Sequence, residues 1–241
     1  MTSTSTRHPL STQSREPLRV IGSMATKGLL AVLCAEAAKQ LNCRVEPLAV
    51  GGVDAAKRVA ADEAFDVVCL GAPAMAKLLA SGHLRSEAQG VVRSRTVVAT
   101  PTGAPAVDLS SAEALKAAVL AAPTVGLSTG PSGVALQALF TQWGIADTIR
   151  DRIQVPPPGT PVASLLASGA VSLGFQQEAE LMGVAGVKVW GALPTEIAID
   201  TVFAAAVATA SKQPELAQAL IAAWNQAANA PIKLQHGMQT L

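Results

Sequence analysis

The chain has 241 residues, enough for one large domain or two small lobes with a sizeable core. Half of it is hydrophobic and its formal net charge is +1, so no global field draws nucleic acid or an anionic membrane, and any affinity for anions has to be local. Three cysteines, Cys34, Cys43 and Cys69, lack C-x-x-C or zinc-type spacing, which argues against a disulfide framework or a structural metal.

Residues 1–17 are rich in Ser and Thr, carry Pro9 and Pro17, and read as a disordered tail. The same leader has no apolar h-region, so no secretory signal is read and a cytoplasmic location is expected. The longest apolar runs, such as Val202 to Ala210, are too short to span a bilayer.

From Leu18 onward LRVIGS reads as a strand, MATKGLLAVLCAEAAKQL as a helix with Cys34 inside it, and CRVEPLAV as a second strand closed by Gly51 and Gly52. VDAAKRVAADEA is a helix, and FDVVCLGAP, which holds Cys69, is an apolar strand. Both cysteines therefore read as buried, reduced thiols. Strands this continuously apolar belong in a parallel sheet covered on both faces. A short helix from Ala74 to Leu79 leads through Ser81, Gly82 and His83 to VVRSRTVVATPTGAP, where a strand crosses to a second lobe.

The pattern then restarts. A helix spans Ser111 to Ala121, TVGLS is a strand, TGPSG a loop, and Val134 to Trp143 a helix. After the break at Pro156 to Pro158 come a helix at Val162 to Ala167, a strand at VSLGF, strands at VKVWGALP and IAIDTVFAAAV, and a last amphipathic helix from Glu215 to Ala228. The chain is expected to return to the first lobe through Glu196 to Val207. The expected organisation is lobe 1 at 18–98 and 197–241, lobe 2 at 99–196, and a ligand cleft between them.

Three junctions share one arrangement: an apolar strand ends in a small polar loop and a helix begins at once. They are Ser23 to Lys27, Gly71 to Pro73, and Ser128 to Gly133. Free backbone N–H groups and the positive end of the helix dipole gather at such places, so an oxyanion or carboxylate is favoured there. Ser23, Thr26, Ser128 and Ser132 also have a plain reading as helix caps. Recurrence in both halves of the chain favours the ligand reading. Lys27 lies in a first helical turn, where a cation opposes the dipole, and a carboxylate ligand would explain it. Lys57 and Arg58 are read likewise with less weight, and Arg93 and Arg95 as surface or crossing charges.

The runs RSRTVVATPTGAP, LSTGPSGVALQALFTQWGIAD and LGFQQEAELMGVAGVKVWGALP resemble the molybdate-binding-protein-like branch of the type II periplasmic binding proteins. The most specific motifs are S-x-x-x-SG at Ser128 to Gly133, GFQQ at Gly174 to Gln177, and GxLP at Gly191 to Pro194. The resemblance implies an α/β fold of two lobes, each a mixed sheet flanked by helices, joined by two hinge crossings around an enclosed small ligand. Carried over position by position, it puts Ser23, Met24, Ala25, Thr26 and Lys27 in one ligand loop and Gly71, Ala72 and Pro73 in a second. Ser128, Thr129, Ser132 and Gly133 fall in a third, with Ser94, Gln176 and Gln177 completing the cradle.

One lineage resembling this branch includes aconitate isomerase, which moves a double bond in a tricarboxylate by an allylic proton shift without metal or cofactor. Such chemistry needs a base near a carbon-bound proton, donors for the dienolate charge, and a water-poor cleft. Lys27, His83 and Glu178 are the candidate bases. The alternative is a substrate-binding protein for molybdate, another oxyanion or an organic acid, serving an ABC transporter or acting as a sensor. Either way the expected partner is a small anion, with no nucleic acid or membrane, in a monomer or homodimer.

Overall fold

The computed structural model describes residues 16–157 and 159–241. The expected tail falls almost wholly outside them. In chain order the elements are β1 (Leu18–Ser23), a 3-10 turn (Met24–Thr26), α1 (Lys27–Gln40), β2 (Val45–Val50), α2 (Gly52–Ala60), β3 (Val67–Gly71), α3 (Ala72–Ala80) and β4 (Gln89–Pro101). There follow α4 (Ala112–Ala121), β5 (Val125–Leu127), α5 (Pro131–Gln142), α6 (Ala146–Ile149), β6 (Ile153–Gln154), α7 (Val162–Ala167), β7 (Leu173–Gln177), α8 (Glu178–Leu181) and β8 (Val187–Ala192). The last are β9 (Asp200–Val207), α9 (Pro214–Trp224), α10 (Ala230–Gln235) and β10 (Met238–Gln239).

The strands line up as β2-β1-β3-β9-β4-β7-β5-β6, with β8 and β10 also on β4. β1 runs parallel to β2 and β3, and β9 joins β3 and β4 antiparallel. In the other half β5 runs parallel to β6 and β7, while β7 and β8 lie antiparallel to β4. β4 belongs to both halves. Its residues up to Arg95 pair with β9, and those from Thr96 onward pair with β7 and β8. The change of partner falls a few residues before the boundary read from the sequence, on the same strand. The second crossing, from β8 to β9, lies beside the first: the Thr96 N–H donates to the Ile199 carbonyl at 2.9 Å.

Alternation along the buried strands explains why they read as unbroken apolar runs. On β3, Val67 and Cys69 pack into a core with α1 and α9 around Leu30, Leu33 and Trp224, while Val68 and Leu70 face a second core with Met75 and Leu78. On β4, Val98 enters a core with Leu136, Phe140 and Phe175, while Val97 and Ala99 face Leu166 and Leu181. Each sheet half is thus covered on both faces, as parallel α/β sheets require. Cys34 and Cys69 are free and buried, and burial pushes both thiols up to about 12, so they stay protonated.

Two helices begin earlier than the sequence reading placed them. Pro73 and Pro131 looked like loop residues, but each sits in the first turn of a helix, α3 or α5, where its missing N–H has no intrahelical acceptor to lose. The helix expected to be the last, α9, ends at Trp224, ahead of the expected Ala228, and a further short helix, α10, follows it. Among the described residues no helix is long and apolar enough to cross a membrane.

Candidate functional site

The carboxyl ends of β1, β2, β5 and β7 converge on a cavity of about 60 Å³ between the lobes. One side is formed by Ser23, Met24 and Ala25 with Gly51, Gly52 and Val53. Ser128 to Ser132, Gly159 to Pro161, Gln176, Gln177, Glu180 and Phe203 complete the wall. Ligands of open α/β sheets sit outside the carboxyl ends of strands, and two full helices, α2 and α5, start here.

Neither helix is capped by a side chain. The N-cap residues are Gly51 and Gly130, and no side-chain hydrogen bond closes either end. Among the described α-helices only α4 has a side-chain cap, the Ser111 hydroxyl accepting from the Ala114 N–H at 3.1 Å, so what sets α2 and α5 apart is that their open ends line the cavity. The first turns of α2 and α5 line the cavity without a side-chain cap, α5 beginning with Pro131, and the positive ends of their dipoles suit an anion there.

The serines do not cap as the plain reading supposed. Ser128 Oγ and Ser132 Oγ lie 3.0 Å apart, and Ser128 Oγ also accepts from the Gly130 N–H at 3.3 Å, so the loop is folded on itself. Gly133 makes this possible: a Cβ there would stand 1.8 Å from the Ser128 carbonyl oxygen. Ser132 is 1 % exposed yet lines the cavity.

Gln176 and Gln177 are buried at the end of β7. The Gln176 Oε1 accepts from the Ala163 N–H at 3.1 Å, and its amide lies near enough to the Glu180 carboxyl to favour the charged form. Gln177 Nε2 donates to Thr201 Oγ1 at 2.8 Å, leaving its Oε1 buried without a partner. Glu180 is the only acidic or basic residue among the described lining of this cavity. Burial pushes its carboxyl up to about 7, against the opposing pull of the Gln176 amide.

Of the residues expected at the site, Ser23, Met24, Ala25, Ser128, Thr129, Ser132, Gln176 and Gln177 come together in this cavity. Others do not. Lys27 is exposed and lines a neighbouring chamber instead. Thr26 is buried with its hydroxyl donating to the Ser23 carbonyl at 2.9 Å. Gly71 is buried against the opposite lobe, where a Cβ on it would meet Pro131 Cγ at 3.3 Å, and half-buried Ala72 and exposed Pro73 lie in α3 outside the cavity lining. Ser94 is fully buried within β4, opposite Thr201 and Met238, and Gly133 lies beneath the Ser128 loop.

Two candidate bases are also elsewhere. His83 follows α3 at the end remote from the Gly71 junction, with Nδ1 3.3 Å from Asp62 Oδ1. Glu178 is held by Arg95, whose Nη2 lies 2.9 Å from its Oε2, and does not line the cavity. Arg58 is likewise paired with Glu63 at 2.6 Å. The residues missed are Gly51 to Val53, Gly159 to Pro161, Glu180 and Phe203. Gly51-Gly52 carried the same strand, small loop, helix signal as the chosen junctions. Glu180 carried no signal of its own, because its surroundings are assembled across the two lobes.

The family model described as bacterial extracellular solute-binding protein matches residues 18–239. A curated relative, the aconitate isomerase of a Pseudomonas species, is 32% identical over 166 residues, which is 68% of this chain and 63% of that protein, so the match spans less than two thirds of the relative. The Azotobacter vinelandii periplasmic molybdate-binding protein superposes with a TM-score of 0.77 at 19% identity, covering 93% of this chain and 99% of that one. The tungstate ABC transporter structure from Geobacter sulfurreducens superposes with a TM-score of 0.74 at 19% identity, covering 91% and 98%. Two sheet halves joined by adjacent crossings, strand ends meeting at one cleft and a match over almost the whole described chain place this protein in the bacterial extracellular solute-binding protein family, with the type II periplasmic-binding-protein fold.

Proposed function

We propose that the cleft binds an unsaturated di- or tricarboxylate and shifts its double bond by allylic proton transfer, with Glu180 as the base. The observation that carries this reading is the Glu180 carboxyl, which lines the cavity as the one charged group among its described residues and has its pKa pushed up to about 7 by burial. A base matched to neutral pH is suited to take a proton from carbon, and positioned general bases contribute roughly 10²–10⁴-fold to rate. The proton leaves one allylic carbon for Glu180 and returns to the other, so nothing is consumed. Negative charge on the dienolate oxygen falls on the uncapped N–H groups of α2 or α5, which are fixed before the reaction starts. The similarity to a protein named aconitate isomerase supports the same reaction class.

The test is proton exchange. Incubated with cis- and trans-aconitate in deuterium oxide, the wild-type protein should incorporate deuterium at allylic carbons, followed by NMR. Glu180→Gln should lower the rate at least about 10²-fold while still binding the acid. Absence of exchange across a panel of unsaturated acids, with binding retained, removes the isomerase reading.

A second reading, plain binding of a tetrahedral oxyanion, is favoured by the size of the cavity and by its otherwise neutral donors. It is distinguished by thermal stabilisation with molybdate or tungstate and none with carboxylates.

A further inference from the structure

A second chamber, of about 470 Å³, adjoins the cleft. It lies between the first turn of α1, the short helix α8 and the segment Gln235 to Met238, so both lobes contribute to it. Met24, Ala25, Pro161 and Glu180 line both spaces and form the wall between them. The sizes differ in kind. A buried water needs about 10–15 Å³, so 60 Å³ holds one carboxylate or tetrahedral group and little more. The chamber falls within the range of about 300–1,000 Å³ in which small organic ligands are held.

Its charges are arranged for an anion. Lys27 lines it as the first residue of α1, and its side chain makes no ion pair or hydrogen bond among the described residues. An unpaired cation in a first helical turn is disfavoured by the dipole, and a carboxylate beside it removes that penalty. His236 stands close by: its ring lies 3.2 Å from where a Cβ on Gly28 would be. Its Nδ1 donates to the Ile232 carbonyl at 2.9 Å, so Nε2 is the ring nitrogen left without a protein partner among the described residues. Met24, Leu29 and Met182 give the chamber apolar walls suited to a short carbon chain.

We infer that the cleft and the chamber form one bipartite site: the first carboxylate sits in the cleft at the helix N-termini, and a second reaches past Glu180 to Lys27 and His236. This rests on the carboxylate reading of the cleft and deepens it. It selects acids with two or more carboxylates separated by a few carbons, and it places the intervening carbons against the Glu180 carboxylate. Monocarboxylates fill the cleft alone.

The experiment titrates wild-type protein, Lys27→Met and Met182→Trp with propane-1,2,3-tricarboxylate, which is saturated and cannot turn over, and with propionate, following ligand signals by NMR. The expected result is a loss of tricarboxylate affinity of about tenfold or more in both variants, one by removing charge and one by filling the chamber, with propionate affinity unchanged. Retained propionate binding also shows that the variants are folded. If the wild type binds both acids and the variants match it, or if both variants lose the two acids equally, the bipartite site is wrong while the carboxylate reading of the cleft stands. If the wild type binds neither acid but molybdate does stabilise it, the reading of the cleft falls and the bipartite site with it.

Discussion

Glu180 ties stability to pH in a direction that can be measured. Its carboxyl ordinarily titrates near 4.5 and is pushed up to about 7 by burial in the folded protein. A carboxyl raised on folding contributes its stability in full below the unfolded value, and loses it as pH rises through the folded value. Between pH 4.5 and about 7 the wild type therefore gives up stability on this account, on the order of 3 kcal/mol. Glu180→Gln has no proton to lose. Urea unfolding at pH 5 and pH 8 should show the variant close to the wild type at pH 5 and more stable at pH 8; parallel behaviour at both values would mean that Glu180 is not the buried acid of the cleft. Ligand linkage has its own sign: an anion beside Glu180 favours the protonated carboxyl, so binding should tighten as pH falls through 7, whereas exchange from carbon should quicken as it rises. None of this was legible in the sequence. Glu178, two positions away, is the residue that directly follows the Gln pair in sequence, but Arg95 holds it at the crossing, and only the contact of α8 with the Met24 and Pro161 wall singles out Glu180.

At the scale of elements, the strand, loop and helix junctions were readable because the apolar runs and the small residues between them are local signals. The loops at Ser23 and Ser128 reach the cleft, but the equivalent loop at Gly71 meets Pro131 of the opposite lobe, and local sequence holds no trace of that contact. The helices α6 and α8 span four residues each, barely more than one turn and too short for a periodic pattern to separate them from a loop. The Ser128 loop illustrates what its sequence does settle. Gly133 lies in the first turn of α5 under the Ser128 carbonyl, where an added Cβ would stand 1.8 Å from oxygen, so the backbone itself must move. Gly133→Ala is expected to destabilise the protein by about 1–3 kcal/mol in urea unfolding, as forced overpacking does. It should also weaken anion binding at least tenfold, because the displaced turn carries the uncapped N–H groups; unchanged affinity would show that α5 does not hold the ligand.

At the scale of the molecule, the two lobes meet at a crossing that is polar although it is buried. Ser94, Thr96 and Thr201 are each less than 5 % exposed, Thr201 lies opposite Ser94, and Gln177 lies opposite Thr96. Directly opposed residues of antiparallel strands share a face, so these four side chains gather on one side of the strands where β4 changes partner. Gln177 Nε2 and Thr201 Oγ1 satisfy one another, whereas Ser94 Oγ, Thr96 Oγ1 and Gln177 Oε1 have no hydrogen-bond partner. Each buried polar atom left unsatisfied costs about 1–3 kcal/mol. The sign of one substitution decides what the cluster is for. Thr96→Val keeps the shape and removes an unsatisfied hydroxyl, so in the ligand-free protein it should leave stability unchanged or raise it by up to about 1 kcal/mol, against the usual run of core substitutions. If the hydroxyls instead gain partners when the lobes close on a ligand, the same variant should show a smaller ligand-induced rise in melting temperature than the wild type. A variant that is plainly less stable without ligand would show that the Thr96 hydroxyl is already bonded in the free protein, and that the crossing is an ordinary satisfied polar core.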